Sequence, residues 1–304
     1  MTYKSHKKLI VVSGPTAVGK TAVAIELAKY FNTEIISADS RQCYKEMNIG
    51  VARPSELELK TITHHFIASH SIEQDLSVQD FVNYALDKLN GLFATHNVVV
   101  LVGGTGLYIK ALLEGLDQIP TVDPEIRSQL SKEYEEKGLA FIQEKISFLD
   151  PVFAAKGEMQ NPQRIMRALE VFEQTGTSIL SFQKGEKAER NFDSIIIGLD
   201  LPREILHERI NLRVDQMMEQ GLLEEVKSLI SYRQKNALQT VGYKELFAFL
   251  EGTISLENAI EEIKAHTRQY ARRQLTWFRK VENIQWFEPK EVSSILQYIK
   301  SKMN

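Results

Sequence analysis

The feature that most constrains this chain is a glycine-rich loop between an apolar run and a helical pattern. The loop matches G-x-x-x-x-G-K-[ST] and directly follows the apolar run Leu9 to Val12. Apolar residues at helical spacing then continue from Thr21 to Phe31. Such a loop turns successive backbone N–H groups toward a phosphate, and the helix N-terminus behind it adds partial positive charge. We predict a phosphate-binding loop formed by Gly14, Pro15, Thr16, Ala17, Val18, Gly19, Lys20 and Thr21.

The loop indicates a polyphosphate ligand without specifying ATP. Lys20 suits neutralisation of phosphate charge, and the hydroxyl of Thr21 suits Mg²⁺. Nucleotide-hydrolysing proteins with this loop usually carry a carboxylate at the end of a buried strand, where it holds the Mg²⁺ shell. Here the run Val98 to Val102 ends in Gly103-Gly104-Thr105-Gly106, with no acid at that position. This departure weakens an NTPase interpretation and leaves room for another substrate that bears a pyrophosphate.

Four short apolar runs predict the central sheet: Leu9 to Val12, Glu34 to Ala38, Val98 to Val102 and Ile195 to Leu199. Runs that are continuous rather than alternating are typical of strands buried on both faces, as in a parallel sheet covered by helices. We therefore predict an α/β fold: a P-loop NTPase-like parallel sheet core flanked by helices, with an all-helical insertion domain. The core covers residues 1–120 and 191–304, and the insertion covers residues 121–190.

Helical patterns occur in both predicted parts of the chain. The insertion has a charged, helix-rich pattern without β-branched runs, and the chain after the last predicted strand is also helical. The predicted helices are Glu125 to Lys137, Leu139 to Phe148, Asn161 to Thr175, Arg203 to Gln234, Tyr243 to Glu251 and Ser255 to Val281.

The composition limits which partners and compartments suit the chain. Its 304 residues carry a formal net charge of −3, so a nucleic-acid site needs local clusters of Lys and Arg. The single cysteine, Cys43, cannot form an internal disulfide, which favours a reducing compartment. The start from Met1 to Lys8 lacks a secretory pattern, and no apolar stretch approaches the ~20 residues that span a bilayer. We expect a cytoplasmic protein that does not act on a membrane.

Asp39 follows the second apolar run, at the expected carboxyl end of a strand. Ligands gather at this edge of a parallel sheet, and the phosphate loop lies on the same edge. A carboxylate there can accept a proton or join a metal shell; the alternative is an Asp that caps a helix or a surface turn. Arg41 and Gln42 are long polar side chains that suit a base edge, although each suits solvent equally well.

Adjacent histidines at His64 and His65 have no metal-ligand spacing and no acid or cysteine close in sequence. Neighbouring residues of a strand point to opposite faces, so the pair cannot bind one ion together. We expect structural histidines there.

Two clusters of basic residues are candidates for binding RNA phosphate. Arg164 and Arg167 stand three residues apart, on one face of a predicted helix. The C-terminal helix is richer, because its cations are interleaved with Tyr270, Trp277 and Phe278. Cations with aromatics suit phosphates and stacked bases, while the aromatics suit a buried core equally well. The basic residues of that helix are Lys264, His266, Arg268, Arg272, Arg273, Arg279 and Lys280.

Together these segments resemble one family, the tRNA dimethylallyltransferases, also called isopentenyl-tRNA transferases. The segments run in the family's order across nearly the whole chain, and the Asp39 and C-terminal segments are the most specific. They are Gly14 to Thr21, Asp39 to Tyr44, His64-His65, Gly103 to Tyr108, Arg164 to Glu170, Val241 to Leu246 and Thr267 to Phe278.

The resemblance implies a P-loop α/β core with a helical insertion that grips the anticodon arm of tRNA. It implies transfer of a dimethylallyl group from dimethylallyl pyrophosphate to N6 of the adenosine 3′-adjacent to the anticodon, with Mg²⁺ as cofactor and pyrophosphate as product. The amine is a poor nucleophile that needs a positioned base, and the departing pyrophosphate needs its growing charge stabilised. The family expectation is a monomer.

The resemblance also implies roles by position. Asp39 resembles the general base, Lys20 and Thr105 complete the predicted catalytic set, and Thr21 is the predicted metal contact. The predicted tRNA contacts are Asp39, Ser40, Arg41, Gln42, Arg127, Gln163, Arg164, Ile165, Met166, Arg167, Gln239, Thr240, Val241, Gly242, Tyr243, Lys244, Arg272 and Arg273.

Two alternative functions keep the phosphate loop but change its use. An ATP-dependent P-loop small-molecule kinase shares the loop, although the missing acid after Val102 argues against it. An RNA-binding switch uses nucleotide only as a conformational signal, and it predicts tRNA binding without an adduct.

Overall fold

A six-stranded parallel sheet forms the centre of the computed structural model, which describes residues 7–303. Met1–His6, most of the predicted non-secretory start, and Asn304 lie outside the described residues. The strand order is β3-β2-β4-β1-β5-β6. The strands are β1 (Lys8–Ser13), β2 (Ile35–Ser37), β3 (His64–His65), β4 (Val98–Gly103), β5 (Asp193–Leu199) and β6 (Gln285–Phe287).

Helices cover both faces of this sheet, and loops join them to the strands. They are α1 (Lys20–Phe31), α2 (Glu56–Thr61), α3 (Val78–Thr95), α4 (Gly106–Glu114), α5 (Pro124–Leu149), α6 (Pro151–Lys156), α7 (Pro162–Thr175), α8 (Arg203–Glu219), α9 (Leu222–Ser228), α10 (Tyr243–Leu250), α11 (Leu256–Phe278) and α12 (Val292–Met303).

The two central strands, β1 and β4, are buried on both faces. Leu9 and Val11 belong to one hydrophobic core and Ile10 and Val12 to the other, because neighbouring strand residues point to opposite sides. Continuous apolar runs are therefore the pattern that such strands require. The predicted fold class, a parallel α/β sheet flanked by helices, is confirmed.

Parallel pairing brings three loops to one edge of the sheet. Ser13 at the end of β1 pairs with Gly103 at the end of β4, and Ser37 at the end of β2 pairs with Val102. The phosphate loop, the Asp39 turn and the Gly104 turn consequently leave the sheet side by side.

The chain divides into two compact units. The first unit, residues 1–113 and 189–304, contains the sheet. The second, residues 114–188, is helical among its described elements and has a core of its own that includes Leu130, Ile142, Ile146, Ile165 and Leu169. Its ends meet where Ala188 donates a backbone hydrogen bond to the Glu114 carbonyl at 2.7 Å. The predicted insertion, residues 121–190, therefore begins later in the sequence than this unit and ends slightly after it.

One predicted helix is wrong in length. The pattern from Arg203 to Gln234 predicts a single helix, but α8 ends at Glu219 and α9 covers only Leu222–Ser228. Gly221 separates them with φ of +98°, a conformation that glycine adopts without steric cost. The apolar periodicity continues across the break, so periodicity alone cannot locate it.

The edge strands β3 and β6 were not among the predicted strands, because two and three residues are too few to form a pattern. In β3, the Nε2 atom of His65 lies 2.5 Å from a carboxylate oxygen of Glu34. The acid beside His65 is thus close in space although it is distant in sequence. Parallel pairing of β2 with β3 brings the two residues together across thirty-one positions of sequence.

No helix among residues 7–303 combines the length and the apolar character needed to cross a membrane.

Gly103 is predicted to be intolerant of any side chain. A Cβ atom at this position would overlap the carbonyl oxygen of Ala38, a backbone atom held by the neighbouring strand. We expect Gly103→Ala to lower the free energy of unfolding by roughly 2–3 kcal/mol and to lower the thermal midpoint.

The matched control for that substitution is Gly91→Ala in the exposed face of α3, where a Cβ atom meets nothing within 4 Å. Alanine in a helix interior is favoured over glycine by about 0.5–1 kcal/mol, so this variant is expected to unfold at or above the wild-type temperature. Equal thermal midpoints for the two variants would contradict the steric argument.

Candidate active site

A cavity of about 690 Å³ opens at the carboxyl edge of the sheet. The phosphate loop and the start of α1 form one side, with Thr16, Lys20 and Thr21 in the lining. Asp39 and Arg213 also line it. The loop after β1, the turn after β2 and helix α8 thus contribute to one site, although they are far apart in sequence.

The phosphate loop presents an uncapped helix start to the cavity. Helix α1 begins at Lys20 after Gly19, and among residues 7–303 no capping side chain accepts a hydrogen bond from its first amides. These free N–H groups and the helix dipole attract an anion. The Nζ atom of Lys20 donates to the carbonyl oxygen of Pro15 at 2.7 Å, which holds the ammonium group over the loop.

Two cations in the cavity have no paired acid. Neither Lys20 nor Arg213 forms a salt bridge with any residue of the described chain, 7–303. Burial lowers the pKa of Lys20 from 10.5 to about 7, and the Asp39 carboxylate opposes that shift only in part. Burial likewise lowers the pKa of Arg213. Charges held without partners in a buried site are costly, and a polyphosphate anion would neutralise both.

Asp39 both shapes a turn and faces the cavity. Its Oδ1 atom accepts hydrogen bonds from the backbone amides of Arg41 at 2.8 Å and Gln42 at 3.2 Å. The side chain lines the cavity with Lys20. The two interpretations of Asp39 from the sequence, a turn residue and a carboxylate at a ligand site, therefore both describe it.

Thr105, a predicted catalytic residue, lies behind the Asp39 turn. Its Oγ1 atom accepts a hydrogen bond from the Ser40 amide at 3.2 Å, and its own amide donates to the carbonyl of Ala38 at 3.3 Å. Asp39 lines the cavity, whereas Thr105 is not among the lining residues. These contacts support a positioning role for Thr105.

Gln274 on α11 was missed by the sequence analysis. Its Oε1 atom accepts from the Thr16 amide at 2.8 Å, while its Nε2 atom donates to the Gly104 carbonyl at 2.9 Å. This buried side chain therefore joins the phosphate loop to the loop after β4. A glutamine in a basic helix carries no signal of such a bridge, because the partners are distant in sequence.

Arg213 was also missed, for a similar reason. It occurs in α8, which is rich in charged residues, and most charged residues of such a helix face solvent. Arg213 differs from the other charged residues of α8 only because the helix packs beside the phosphate loop. Arg209, one turn away, shows the same packing, since it donates to the Val18 carbonyl at 3.2 Å.

The predicted RNA contacts in the helical unit are largely paired with acids. Arg164 lies 2.6 Å from a carboxylate oxygen of Glu158, and Arg167 lies 3.0 Å from Glu170. Arg127 approaches the same Glu170 at 3.5 Å. Among their neighbours on α7, Gln163 is exposed and Met166 is half-buried.

Ile165 differs from those residues because its side chain is fully buried in the core of the helical unit. This packing leaves the side chain no surface for a contact, and the tRNA contact at Ile165 stays a prediction. Alternating buried and exposed positions are what an amphipathic helix such as α7 requires.

Among the basic residues of α11, Lys264 and His266 contact acids, whereas Arg272 and Arg273 have no acid partner in the described chain. Arg272 and Arg273 are exposed and form no salt bridge within residues 7–303. The guanidinium of Arg273 lies 5.7 Å from the ring centroid of Tyr270, which lines the cavity. Phe278 is buried, as the interpretation of a core residue requires, whereas Trp277 is partly exposed and its contact with a base stays a prediction.

The predicted contact segment Gln239 to Lys244 has mixed accessibility. Gln239 and Lys244 are exposed, Thr240 and Val241 are half-buried, and Gly242 is buried. Tyr243 is fully buried, so its side chain presents no surface to tRNA in this conformation, and the contact at this position stays a prediction. Its hydroxyl donates to Glu225 at 2.6 Å instead.

Oxygen ligands for a divalent cation are sparse but suitable. The Thr21 hydroxyl and the Asp39 carboxylate line the same cavity. Among residues 7–303, no group of three or more His, Cys, Asp or Glu side chains is placed to hold a metal ion. Mg²⁺ is usually held by one or two protein oxygens plus substrate phosphates and water, so this donor set fits it.

This fold and cavity define a P-loop protein that binds a phosphate-bearing substrate. The model of the IPP transferase family matches residues 42–281, and the chain belongs to that family. The resemblance inferred from the sequence is confirmed.

Relatives match over nearly the full length. The chain is 52% identical to a tRNA dimethylallyltransferase of Christiangramia forsetii, covering 97% of this chain and 98% of that protein. It is 47% identical to one of Cytophaga hutchinsonii, with 98% of each covered. The structure of a full-length tRNA isopentenylpyrophosphate transferase from Bacillus halodurans superimposes with a TM-score of 0.72 and 37% identity, covering 98% and 97%. A eukaryotic dimethylallyltransferase acting on tRNA gives a TM-score of 0.76 at 28% identity, covering 93% of this chain and 74% of that one.

Binding of inorganic pyrophosphate is predicted to take up a proton at Lys20. With a pKa of about 7, this amine is mostly neutral at pH 8, and an adjacent anion raises the pKa and restores its charge. We expect calorimetry at pH 8, in two buffers of different ionisation enthalpy, to detect uptake of up to about 0.9 proton from this group.

The control for that measurement is Lys20→Arg, which keeps the positive charge but does not titrate. Proton exchange by the ligand itself is the same in both proteins, so the difference belongs to Lys20. Equal proton uptake by both proteins would contradict the assignment.

Proposed function

We propose that this protein transfers a dimethylallyl group from dimethylallyl pyrophosphate to N6 of the adenosine 3′-adjacent to the anticodon in certain tRNAs. The observation that carries the proposal is the cavity in which Lys20 and Arg213 lie unpaired beside the Asp39 carboxylate. Membership of the IPP transferase family and the names of the full-length relatives favour tRNA prenylation over a small-molecule kinase. The absence of an acid after β4 agrees with that choice.

In the reaction, the adenine amine attacks C1 of the allyl group while the bond from C1 to the pyrophosphate oxygen breaks. Asp39 accepts the proton that N6 loses. Its Oδ1 atom is oriented by two backbone amides, and its side chain borders the cavity. A base held in one orientation is what a weak amine nucleophile requires.

The leaving pyrophosphate carries growing negative charge, which the cations of the cavity stabilise. Lys20, Arg213 and the free amides at the start of α1 supply positive charge without a competing carboxylate pair. Gln274 holds the phosphate loop, and Thr105 holds the turn that carries Asp39. When bound, Mg²⁺ would lie at Thr21 and neutralise phosphate charge.

The tRNA substrate requires a basic surface and an unstacked target base. Arg272 and Arg273 are the strongest candidates for phosphate contacts, since they are exposed and unpaired within the described chain and adjoin a cavity residue, Tyr270. The adenosine lies in a stacked loop, so it must be splayed out to enter the cavity. The helical unit as a clamp on the anticodon arm, a monomeric state and a cytoplasmic location remain predictions from the sequence.

The test is mass spectrometry of tRNA incubated with the protein, Mg²⁺ and dimethylallyl pyrophosphate. The wild type is expected to add one dimethylallyl group to an adenosine. Asp39→Asn keeps an oxygen for the two turn amides but removes the base, so kcat should fall by roughly 10²-fold or more with little change in tRNA affinity.

The matched control is Asp200→Asn, at the carboxyl end of β5, whose carboxylate pairs with Arg279 and does not line the cavity. It is expected to keep near-normal turnover. ATP turnover by the wild type would favour the kinase, and tRNA binding without an adduct would favour an RNA-binding switch; normal turnover by Asp39→Asn would remove the role of the base.

The salt dependence of tRNA binding is predicted to distinguish the two basic clusters. Replacing Arg272 and Arg273 together by Gln should flatten the slope of log affinity against log salt by about two units, because each arginine neutralises one phosphate. The same change at Arg164 and Arg167 should flatten it less, because carboxylates already neutralise these residues. Slopes equal to that of the wild type for both variants would rule out both clusters as phosphate contacts.

A further inference from the structure

A single carboxylate outside the reacting groups holds one wall of the cavity. Glu225, on α9, accepts hydrogen bonds from the successive backbone amides of Asn48 at 3.1 Å, Ile49 at 2.7 Å and Gly50 at 3.0 Å. The Tyr243 hydroxyl donates to the same carboxylate at 2.6 Å. Successive amides that converge on one anion form a rigid concave turn, and charge-assisted hydrogen bonds are stronger than neutral ones.

Tyr243 fixes the other side of this turn. Its ring is fully buried, and a Cβ atom at Gly50 would lie 2.6–2.8 Å from ring carbons and the hydroxyl oxygen. Burial and the nearby Glu225 carboxylate raise the pKa of the Tyr243 hydroxyl. The hydroxyl therefore stays protonated and donates at all pH values where the enzyme works.

The turn leads directly into the lining of the cavity. Ile49, Val51 and Ala52 line it, together with charged residues of both signs and a few other apolar side chains such as Leu59 and Met217. The Nε2 atom of Gln42 donates to the carbonyls of Val51 at 3.2 Å and Ala52 at 2.9 Å. The backbone amide of Gln42 donates to Asp39 at 3.2 Å, so Gln42 links this wall to the proposed base.

The wall contains a strained residue that needs such support. Ala52 has φ of +48°, in the left-handed region that residues with a Cβ atom rarely adopt. Strained backbone of this kind persists only where its surroundings over-determine it. Hydrogen bonds from the Ala52 amide to Ile49 at 2.9 Å and from Arg53 to the Tyr44 carbonyl at 2.6 Å complete that support.

We propose that Glu225, together with Tyr243, is a positioning residue that sets the aliphatic wall against which the allyl group of the donor packs. The inference rests on the proposed function, because it assigns the wall formed by Ile49 and Val51 to the five-carbon part of dimethylallyl pyrophosphate. Neither Glu225 nor Tyr243 touches the reacting atoms. We call Glu225 and Tyr243, with the turn that they hold, the clamp. The clamp acts on the affinity for the donor and on the length of the prenyl chain that the cavity accepts.

The test compares Glu225→Gln and Tyr243→Phe with the wild type. Glutamine replaces one acceptor oxygen by an NH₂ group that faces backbone N–H donors, so we expect the donor KM to rise by about 10-fold with a smaller change in kcat. Phenylalanine removes only one hydroxyl, and a rise of about 3-fold is expected. The ratio of kcat/KM for dimethylallyl over geranyl pyrophosphate should fall in both variants, because a looser wall admits a longer chain.

A second readout does not depend on activity. Hydrogen–deuterium exchange among the amides of residues 48–50 should accelerate by about 10-fold or more in Glu225→Gln, since glutamine keeps only one of the two oxygens that accept from them. Glu224→Gln is the matched control, because this neighbouring acid is exposed and pairs only with Lys227. It should leave exchange, donor KM and chain-length selectivity unchanged.

The outcomes separate the clamp from the activity. Unchanged exchange at residues 48–50 in Glu225→Gln would overturn the clamp, and so would faster exchange with unchanged donor KM and selectivity. A purely structural role predicts a lower thermal midpoint and a smaller active fraction, with wild-type KM and selectivity, which would also overturn it. If the wild type transfers no dimethylallyl group, the proposed function fails, while the exchange measurement still decides whether Glu225 holds the turn.

Discussion

The site depends on positive charge that the protein buries without pairing it. Lys20 and Arg213 come from α1 and α8, and each loses hydration in a cavity where no carboxylate compensates fully. A folded chain tolerates this cost only if the surrounding structure is stable for other reasons. The two-sided burial of β1 and β4 supplies that stability, and it places the carboxyl ends of the strands where the charge is needed. Binding of an anion would thus complete the electrostatics of the site.

Helix α11 shows how distant segments share one function. Gln274 spans the gap between the amide of Thr16 and the carbonyl of Gly104, so one amide side chain satisfies both a donor and an acceptor. Tyr270, one turn before Gln274, borders the cavity, and Trp277, one turn after it, packs on Gly106. The helix therefore holds the site together on its inner face, while its outer face keeps the exposed arginines.

Local patterns were predictable, whereas contacts between distant segments were not. The loop from Gly14 to Thr21 and the position of Asp39 at a strand end follow from short-range rules of geometry and burial. Arg213 and Gln274 belong to the same cavity, yet each looks like an ordinary polar residue of a helix, because its partner is chosen by how helices pack on the sheet. The family resemblance predicted a role for Thr105, but it did not show that Thr105 lies behind the Asp39 turn. Resemblance likewise included Ile165 and Tyr243, because it transfers positions without saying which side chains are buried.

The shortness of β3 and β6 has a consequence beyond topology. A sheet edge exposes unpaired amide and carbonyl groups that can recruit a strand from another molecule. Here the two borders offer only His64–His65 and Gln285–Phe287, and the contact of His65 with Glu34 puts polar groups at one of them. A recruited strand would find too few consecutive groups to form a stable ladder. The strongly apolar interior strands would otherwise favour aggregation, and the short edge strands protect them from pairing with another molecule.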